Sequence, residues 1–355
     1  MKIGIPKEIK ILEGRVGLTP AACATLVDKG HEVFLQAGAG ELSGYPDAEY
    51  QQLGVKIVAS AEVLYGVAEL IVKVKEPLAG DLACLRSDHL LFCYLHLAAN
   101  AELARQLCDV GLTAVAFETV TDAQGRLPLL APMSEIAGKL SIQIGTHLLH
   151  QPQGGRGVLL GGAGLSEPGR VVVLGAGHAG GAAVKLASCS GAEVIVFERN
   201  PQRLLEMARL ADNITALNPD EYSVSDYLPQ TDLLVGAVLL PGLHAPRIVS
   251  EDEVKTMPSG SVIVDISVDQ GGCIETIRAT DYKHPTYRLH DVLHFGVTNM
   301  PGAVPRTASQ ALTAAILPYI ERLTVAGWDQ QADLRDGINI RAGKIDNPLI
   351  QQALQ

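Results

Sequence analysis

The stretch from residue 169 to residue 200, GRVVVLGAGHAGGAAVKLASCSGAEVIVFERN, constrains the fold of this chain more than any other. An apolar, strand-like run leads into the pattern G-x-G-x-x-G at Gly175, Gly177 and Gly180, and a helical pattern follows. A second apolar run then ends in Glu198, 18 residues beyond Gly180. This order of strand, glycine turn, helix and strand with an acidic end is typical of a dinucleotide-binding βαβ unit.

Each glycine of this turn has a separate steric reason. Gly175 makes the tight turn, Gly177 lets the backbone approach a pyrophosphate, and Gly180 lets the helix and the strand pack closely. The free N–H groups and the positive dipole at the start of the following helix attract phosphate groups. The motif therefore predicts a bound dinucleotide rather than a glycine-rich turn without a ligand.

The acidic residue at the end of the second apolar run bears on the choice of dinucleotide. Glu198 can accept hydrogen bonds from the hydroxyls of the adenosine ribose, and its charge would repel a 2′-phosphate. This favours NAD over NADP. Arg199 and Arg203 lie close by in the sequence, and arginines can hold a 2′-phosphate, so the sequence leaves the choice open.

Length and element order predict an α/β protein of two domains. At 355 residues the chain is too long for one ordinary core. Short apolar runs alternate with helical patterns up to residue 130 and again from 170 to 305, as in parallel sheets. We expect two Rossmann-like domains separated by a cleft, with the chain crossing twice between them. A substrate domain takes residues 1–130 and 306–355, and a dinucleotide-binding domain takes residues 131–305.

Three segments outside the two strand series guide these boundaries. A helical pattern at 132–152 leads into the second series, and a second helical pattern at 306–323 follows it. The tail at 324–355 carries no strand series of its own. We therefore expect the tail to pack back on the first domain.

Composition excludes several classes of function. The net charge is −11 and no stripe of Lys and Arg is present, so nucleic acid is not an expected partner. No apolar run reaches the length of a membrane helix, and the start MKIGIPKEIK is not a signal peptide, so we expect a cytoplasmic protein without a membrane partner. The six cysteines show no metal-binding spacing, so we expect free thiols and no metal.

Four polar residues lie at strand ends or in short loops: Arg15, Lys75, His96 and Asp269. Singly, each has an ordinary explanation, namely a solvated cation, a core histidine or a turn former. Together they describe a pocket in which Arg15, through a bidentate fork, and Lys75, as a point charge, hold a carboxylate while His96 and Asp269 move protons. Asp265, inside an apolar run, remains a structural candidate.

Longer motifs around these residues carry a resemblance to a known family. They are GIPKEIKILEGRVGLTP, ELIVKVKEP, YLHLA, PMSEIAGKLS, GGRGVLLGG, GAVLLPG, GSVIVDISVDQGGCIET and NMPGAVPRTASQAL. The motifs run from residue 4 to about residue 312, and LRDGINIRAGKI extends the match into the tail. The chain resembles the NAD-dependent alanine dehydrogenases and the NAD-binding subunit of proton-translocating transhydrogenase.

The resemblance implies a reaction and a set of residues. It implies the reversible conversion of L-alanine, NAD and water into pyruvate, ammonia and NADH, in a substrate domain built from both chain ends and a central Rossmann domain, assembled as a homohexamer. Arg15 and Lys75 match the ligands of the substrate carboxylate, and His96 and Asp269 match the catalytic groups. The positions that match cofactor contacts, together with the glycine turn, are Ser134, His178, Ala179, Glu198, Arg203, Val238, Leu239, Ile266, Ser267, Val268, Asp269, Arg278, Val297, Thr298, Asn299 and Met300.

Some positions depart from the family pattern. His178 stands where a small aliphatic residue is more common, Glu198 replaces the commoner Asp, and HDVLHF replaces a motif that normally has Gly after its first His. Two other functions therefore remain open: a dehydrogenase of the same fold for another amino acid or an opine-like substrate, and a non-catalytic NAD-binding subunit like that of transhydrogenase.

Overall fold

The computed structural model describes residues 1–238 and 245–354, which form two compact units. One unit consists of residues 1–133 and 302–355, and the other of residues 134–301. The chain thus leaves the first unit, builds the second and returns to the first.

The β-strands, in chain order, are β1 (Lys2–Ile5), β2 (Glu32–Gln36), β3 (Lys56–Val58), β4 (Leu70–Val72), β5 (Leu90–Cys93), β6 (Thr113–Ala116), β7 (Arg170–Leu174), β8 (Glu193–Phe197), β9 (Ile214–Leu217), β10 (Leu233–Gly236), β11 (Val262–Asp265), β12 (Thr286–Leu289), β13 (Val292–Phe295), β14 (Ile338–Arg341) and β15 (Lys344–Ile345).

The α-helices are α1 (Pro20–Asp28), α2 (Asp47–Gln52), α3 (Ala61–Val67), α4 (Ala79–Leu82), α5 (Ala101–Val110), α6 (Ala131–Leu148), α7 (His178–Cys189), α8 (Pro201–Ala208), α9 (Glu251–Val254), α10 (Pro305–Leu323), α11 (Ala332–Gly337) and α12 (Pro348–Ala353).

The sheet of the first unit has the strand order β15-β14-β6-β5-β4-β1-β2-β3. Strands β1 to β6 are parallel to one another. Read from β3, the order is 3-2-1-4-5-6, the arrangement of a doubly wound dinucleotide-binding fold. From β1 the chain builds the sheet outward on one side through β2 and β3, and then on the other side through β4, β5 and β6. Open α/β sheets bind ligands at this switch point, outside the carboxyl ends of the strands.

The sheet of the second unit repeats this order. Its strands lie in the order β12-β13-β11-β10-β7-β8-β9, and all pairs are parallel except β12 with β13. Read from β9 to β13, it is again the 3-2-1-4-5-6 arrangement. The α/β class with two mainly parallel sheets, predicted from the alternation of apolar runs and helical patterns, is confirmed.

Both sheets are buried on their two faces, which explains the apolar runs. Every residue of β4, β10, β11 and β13 is buried. Strands covered on both sides by helices need apolar residues at consecutive positions rather than at alternate ones. Each fully buried Leu, Ile, Val or Phe contributes about 1.5–3 kcal/mol of transfer free energy.

The tail differs from the sequence prediction, because it adds two strands to the first sheet. Strand β14 pairs antiparallel with β6, and β15 pairs antiparallel with β14. A tight turn connects them, with Ala342 at φ 45° and Gly343 at φ 76°. Strands of four and two residues are too short to show an alternating pattern, and they exist because β6 offers an unpaired edge.

Candidate active site and dinucleotide site

Three of the predicted site residues of the first unit follow adjacent strands. Arg15 lies in the loop after β1, Lys75 follows β4 and His96 follows β5, and these strands are neighbours in the order β1, β4, β5. Parallel strands end at the same edge of their sheet. The fold therefore brings these three residues to one edge, at the point where the strand order reverses.

Arg15 is almost fully buried, with 2% of its surface exposed. Its Nε donates to Glu13 Oε1 at 2.6 Å and its Nη2 to Glu13 Oε2 at 2.5 Å, while Nη1 lies 3.2 Å from Met133 Sδ. Burial alone would lower the pKa of Arg15, but the hydrogen-bonded Glu13 carboxylate outweighs burial and raises it. We predicted that Arg15 binds a substrate carboxylate in a bidentate manner, but the Nε–Nη2 edge of its guanidinium binds Glu13 instead.

The loop that carries Arg15 is held by helix α10 of the same unit. Val16 N donates to Ser309 Oγ at 3.0 Å, and Thr19 N donates to Thr313 Oγ1 at 3.2 Å. Ser309 and Thr313 are four residues apart and therefore lie on one face of the helix. The motif RTASQAL, predicted from the sequence to start a helix, thus also holds the loop that carries Arg15.

Lys75 is buried as well, with 9% of its surface exposed. The segments that follow β4 and β5 stay paired beyond the strand ends, because Tyr94 N donates to Val74 O at 3.1 Å. Lys75 and Leu95 come next on the two paired segments, and His96 follows. The fold thus places Lys75 and His96 on neighbouring segments at the same edge of the sheet.

His96 is exposed, although Leu95 and Leu97 on either side of it are buried. Its ring lies nearly parallel to that of Tyr94, with a centroid distance of 5.8 Å and an angle of 4°. Tyr94 is fixed in turn, because its hydroxyl donates to Leu129 O at 2.7 Å. Tyr94 was not singled out from the sequence, where it reads as one more apolar residue of a buried strand.

The glycine turn of the second unit has the geometry that the motif predicts. Gly175 has φ 92°, which a residue with a side chain rarely adopts. A Cβ at Gly180 would lie 1.8 Å from the carbonyl oxygen of Gly175, so close packing alone requires glycine there. A Cβ at Gly177 would meet only Arg203 Nη1, at 3.9 Å. The protein itself therefore leaves room at Gly177, as expected if a ligand fills that space.

Glu198 lies directly after β8 and is bonded to the glycine turn. Its Oε2 accepts from Ala176 N at 2.8 Å and its Oε1 accepts from Asn200 N at 2.8 Å. Arg203 Nη1 lies 3.9 Å from Glu198 Oε2, and Arg199 Nε lies 3.5 Å from Asp220 Oδ1. Arg199 and Arg203, which left the choice between NAD and NADP open, thus each lie near a carboxylate.

His178 and Ala179 form the first two positions of α7, directly after the turn, and His178 is exposed. Ser134 approaches the same place from α6. A Cβ at Gly138 would lie 2.0 Å from Ala179 O, so the two helices touch there. Ser134 lies one turn before Gly138 on the same face of α6.

The ends of β10 and β11 lie next to this turn. Ser267 Oγ donates to Val238 O at 2.8 Å, and a Cβ at Gly175 would lie 3.3 Å from Val238 Cγ2. Ile266, Ser267, Val268 and Asp269 form a 3₁₀ turn after β11, in which Asp269 is exposed. Leu239, also predicted as a cofactor contact, lies outside the described residues.

Asp265 anchors the turn that carries Asp269. It is fully buried; its Oδ1 accepts from Ser267 N at 2.8 Å, and its Oδ2 accepts from Cys273 N at 2.8 Å and from Ile274 N at 3.2 Å. Burial raises the pKa of Asp265, although these N–H groups oppose the rise. Asp265, for which the sequence suggested a structural role, therefore joins the 3₁₀ turn to the backbone of Cys273 and Ile274.

The remaining predicted contacts of this unit lie on two adjoining segments. Thr280 pairs with Val297, and Thr298 N donates to Thr280 O at 3.2 Å, so the segment after Arg278 runs beside residues 297–300. Asn299 has φ 62°, and Met300 O accepts from the hydroxyl of Tyr282 at 2.9 Å. The structure thus groups Arg278, Val297, Thr298, Asn299 and Met300.

Arg278 lies on a stack of two rings. Its guanidinium carbon lies 4.3 Å from the ring centre of Tyr287, and the ring of Tyr287 stacks on that of His294 at 4.9 Å. His294 is fully buried, with Nδ1 3.0 Å from Val292 O and Nε2 2.8 Å from Thr276 Oγ1. Because a carbonyl only accepts, Nδ1 carries the proton and Nε2 accepts from Thr276.

We expect His294 to make the stability of the second unit depend on pH. Burial lowers the pKa of His294 to about 4 from its usual 6.5. Between about pH 4 and pH 6.5 the unfolded chain therefore binds a proton that the folded chain does not, so stability is full above pH 6.5 and falls by about 3 kcal/mol as pH drops toward 4. Urea unfolding followed by circular dichroism at pH 7.5, 6 and 5 measures this loss.

The variant His294→Gln isolates this contribution, because an amide does not titrate in this range. We expect the unfolding free energy of the variant to fall less on acidification than that of the parent chain. The exposed His147→Gln serves as control and should keep the parent slope. Equal slopes for parent and His294→Gln would contradict the assignment.

Two further searches concern metals and membranes. Among residues 1–238 and 245–354, no group of three or more His, Cys, Asp or Glu side chains is arranged to hold a metal ion. In the same part of the chain no helix is long and apolar enough to cross a membrane. All six cysteines are free thiols, of which Cys23, Cys93 and Cys273 are buried.

A dinucleotide turn in one Rossmann-type unit, and two cations and an imidazole at one sheet edge of the other unit, define a dinucleotide-dependent oxidoreductase. The family models for alanine dehydrogenase/PNT match residues 4–137 with the N-terminal domain and residues 141–348 with the C-terminal domain. The chain therefore belongs to the alanine dehydrogenase/PNT family.

Named relatives resemble the chain over nearly its whole length. An alanine dehydrogenase of Mycobacterium tuberculosis is 46% identical over 329 residues, covering 92% of this chain and 89% of that protein. An alanine dehydrogenase of Halomonas elongata is 44% identical over 361 residues, covering 99% and 96%. Among solved structures, an L-alanine dehydrogenase has a TM-score of 0.94 at 47% identity, covering 99% of each chain. A transhydrogenase from Sinorhizobium meliloti has a TM-score of 0.86 at 25% identity, covering 97% of this chain and 100% of that one.

Proposed function

We propose that the chain catalyses the reversible, NAD-dependent oxidative deamination of L-alanine to pyruvate and ammonia. The observation that carries the proposal is the joint emergence of Lys75 and His96 from neighbouring strands at the switch-point edge of the first sheet. A cation beside an acid–base group is what an α-amino or α-keto acid requires, and alanine dehydrogenases are close relatives of the whole chain.

Arg15 and Lys75 have different tasks in this proposal. The charges of Arg15 and Glu13 nearly cancel. Glu13 also holds the guanidinium of Arg15 in place by binding its Nε–Nη2 edge. Lys75 supplies a compact charge that attracts the substrate carboxylate and polarises the carbonyl of pyruvate in the reverse direction. Lys75 also helps to keep Glu76 ionised: burial alone would raise the pKa of Glu76, but Lys10 and Lys75 outweigh burial and lower it.

His96 and Asp269 are the proposed acid–base groups. The ammonium group of alanine first loses a proton to solvent. A bound NAD would then accept the hydride that leaves the α-carbon, and the substrate becomes an iminium. Water then adds to the iminium carbon of the substrate, and His96 takes the proton that this water loses. Asp269 relays a proton to the departing amine. When the C–N bond breaks, the hydroxyl on the same carbon loses its proton to solvent and ammonia leaves. Lys75 stabilises the oxygen that becomes the carbonyl of pyruvate.

The second unit supplies the groups that would hold NAD. Gly177 and the first N–H groups of α7 face the pyrophosphate, and Glu198, held by two backbone N–H groups, faces the adenosine ribose. Arg203, which borders the open space at Gly177, is suited to the phosphates. The other proposed contacts are Ser134, Gly175, His178, Ala179, Gly180, Val238, Leu239, Ile266, Ser267, Val268, Asp269, Arg278, Val297, Thr298, Asn299 and Met300.

The surroundings of Glu198 support NAD rather than NADP. A 2′-phosphate would have to lie beside the Glu198 carboxylate, and the nearby Arg199 and Arg203 are each directed at an acidic side chain. These carboxylates weaken the attraction of the two arginines for a 2′-phosphate.

The variants Gly177→Ala and Gly180→Ala test the proposed pyrophosphate position as a matched pair. Gly177 has φ −67° and no close neighbours, so we expect Gly177→Ala to fold normally and to bind NAD about tenfold or more weakly. A methyl group at Gly180 collides with the carbonyl of Gly175, so Gly180→Ala should lose stability as well. Titration calorimetry with NAD and urea unfolding measure the two effects.

Unchanged NAD affinity in Gly177→Ala would contradict the placement of the pyrophosphate at this turn. Equal stability losses in the two variants would contradict the distinction between a glycine required by a ligand and one required by packing.

One assay tests the function itself. Pyruvate and ammonium are added to the protein with NADH, and the absorbance of NADH is followed; NADPH and larger 2-oxo acids are compared under the same conditions. We expect consumption of NADH with pyruvate and little with NADPH. Activity only with a larger 2-oxo acid, or only with an amine that forms an opine, would show that alanine is not the substrate. Binding of NADH without turnover would favour the transhydrogenase-like alternative.

Assembly and location follow from the same relationship. We propose a homohexamer that works in the cytoplasm, with L-alanine, pyruvate and ammonia as its small-molecule partners. Light scattering coupled to size exclusion would give the mass of the assembly, and a value below that of six chains of 37.5 kDa each would correct the proposal.

A further inference from the structure

His96 has a backbone conformation that needs an explanation. Its φ of 51° and ψ of 38° lie in the left-handed region, which is costly for a residue that has a side chain. Such conformations persist only where neighbouring groups hold them, and they concentrate at functional sites.

Glu118 provides the group that holds this conformation. Its Oε1 accepts a hydrogen bond from His96 N at 2.6 Å and another from Leu95 N at 3.2 Å, and Oε2 lies 3.3 Å from Leu95 N. Glu118 belongs to a 3₁₀ turn directly after β6, the strand beside β5. Two successive N–H groups thus converge on one carboxylate oxygen from the neighbouring strand end.

These bonds decide where the imidazole goes. Leu95 and Leu97 turn inward and are buried, whereas the left-handed residue between them directs its side chain out of the sheet edge, where it is exposed and stacks on Tyr94. Without an acceptor for the N–H groups of Leu95 and His96, this segment would relax to an extended backbone conformation. The imidazole would then leave its position against the ring of Tyr94.

We propose that Glu118 is a positioning residue for His96, acting through the backbone of residues 95 and 96 rather than through the imidazole or the substrate. The role in turnover rests on the proposed function, because it presupposes that His96 moves protons in the reaction. Glu118 in this role needs an acceptor oxygen and not a negative charge.

The variants Glu118→Gln and Glu118→Ala separate these two properties. An amide oxygen in place of Oε1 can accept from both N–H groups, so we expect Glu118→Gln to keep turnover within a few-fold of the parent. Glu118→Ala removes the acceptor and should lower kcat by about 10- to 100-fold, as expected when a catalytic group is misplaced, with little change in KM for NADH. The exposed Glu102→Gln on α5 is the matched control and should leave kcat unchanged.

A double-mutant cycle distinguishes positioning from general damage. In a His96→Ala background, Glu118→Ala should cause almost no further loss, because the group that it positions is gone. An equal loss of kcat in both backgrounds would overturn the proposal, and so would a Glu118→Gln variant as slow as Glu118→Ala, since Glu118 would then act by its charge.

A readout without turnover keeps this test independent of the proposed reaction. Hydrogen–deuterium exchange resolved to the amides of Leu95 and His96 should speed up strongly in Glu118→Ala and stay near the parent rate in Glu118→Gln. If the parent chain does not reduce pyruvate, the proposed function fails while the exchange result still stands. Unchanged exchange in Glu118→Ala would overturn the inference whatever the reaction.

Discussion

Replacement of His96 by Ala should lower the turnover of pyruvate and ammonium by roughly 10²–10⁴-fold, the usual contribution of a proton-transfer group. His96 is exposed at the carboxyl edge of the first sheet and packs only one ring face against Tyr94, so removal of the imidazole leaves no buried cavity. We therefore expect the unfolding midpoint and the affinity for NADH to stay near the parent values. Steady-state kinetics and urea unfolding measure both quantities.

His31 offers a matched control for this prediction. It precedes β2 in the same sheet and therefore lies at the amino end of the strands, opposite to the edge that carries His96. The variant His31→Ala removes an imidazole from the same unit and should keep full turnover. Partial recovery of His96→Ala by added imidazole would support the proton-transfer role, whereas turnover within threefold of the parent would refute it.

The fold could be predicted from the sequence because both sheets bury their two faces. Consecutive apolar positions in β7 and β8, followed by a glycine turn and an acidic end, leave few alternatives to a parallel βαβ unit. Strands β14 and β15 could not be predicted, because their pairing depends on the free edge of β6, which lies more than 200 residues earlier in the chain.

The members of the candidate site that could be predicted are those that stand out from their local sequence. His96 and Lys75 interrupt apolar runs and therefore attract notice, and Asp269 follows a strand. Glu118 lies in AFETV, where nothing local distinguishes it from a solvated carboxylate, and its importance depends on β6 lying beside β5. Glu13 likewise gains its meaning from the bidentate contact with Arg15, which sequence spacing alone does not reveal.

A buried cluster of charged side chains in the first unit was not predicted from the sequence. Lys73 follows β4, and none of its side chain is exposed. Its Nζ lies 3.2 Å from Asp81 Oδ1 and 3.3 Å from Glu8 Oε2. Asp81 Oδ1 also accepts from the hydroxyl of Tyr65 at 2.8 Å, and Glu8 Oε1 accepts from Val74 N at 2.7 Å. The cluster thus ties the loop after β1 to the segment that leads to Lys75.

The charges of this cluster depend on one another. Burial alone would lower the pKa of Lys73, but the carboxylates of Glu8 and Asp81 outweigh burial and raise it, so Lys73 is an ammonium at neutral pH. Burial raises the pKa of Glu8 in spite of Lys73, because a single ammonium serves two carboxylates. Removal of the ammonium would therefore leave two buried acids without compensation.

The variant Lys73→Met should destabilise the first unit by about 3–5 kcal/mol at neutral pH, the usual cost of removing one partner from a buried ion pair. Met has nearly the volume of the aliphatic part of Lys, so lost charge rather than lost packing dominates. The only tryptophan, Trp328, lies in this unit, and its fluorescence during urea unfolding reports the change. We expect acidification to narrow the difference, because burial raises the pKa of Glu8 and its protonation removes one of the uncompensated charges.

An exposed ion pair in the same sheet provides the control for this result. Lys56 Nζ lies 2.6 Å from Glu32 Oε2, with about half of each side chain exposed, so Lys56→Met should change the unfolding free energy by only about 0–1 kcal/mol. The triple variant Lys73→Met, Glu8→Gln, Asp81→Asn should recover part of the stability lost by Lys73→Met alone, because neutral amides remove the buried charges. Similar losses for Lys73→Met and Lys56→Met, or no recovery in the triple variant, would show that Lys73 does not compensate the two acids.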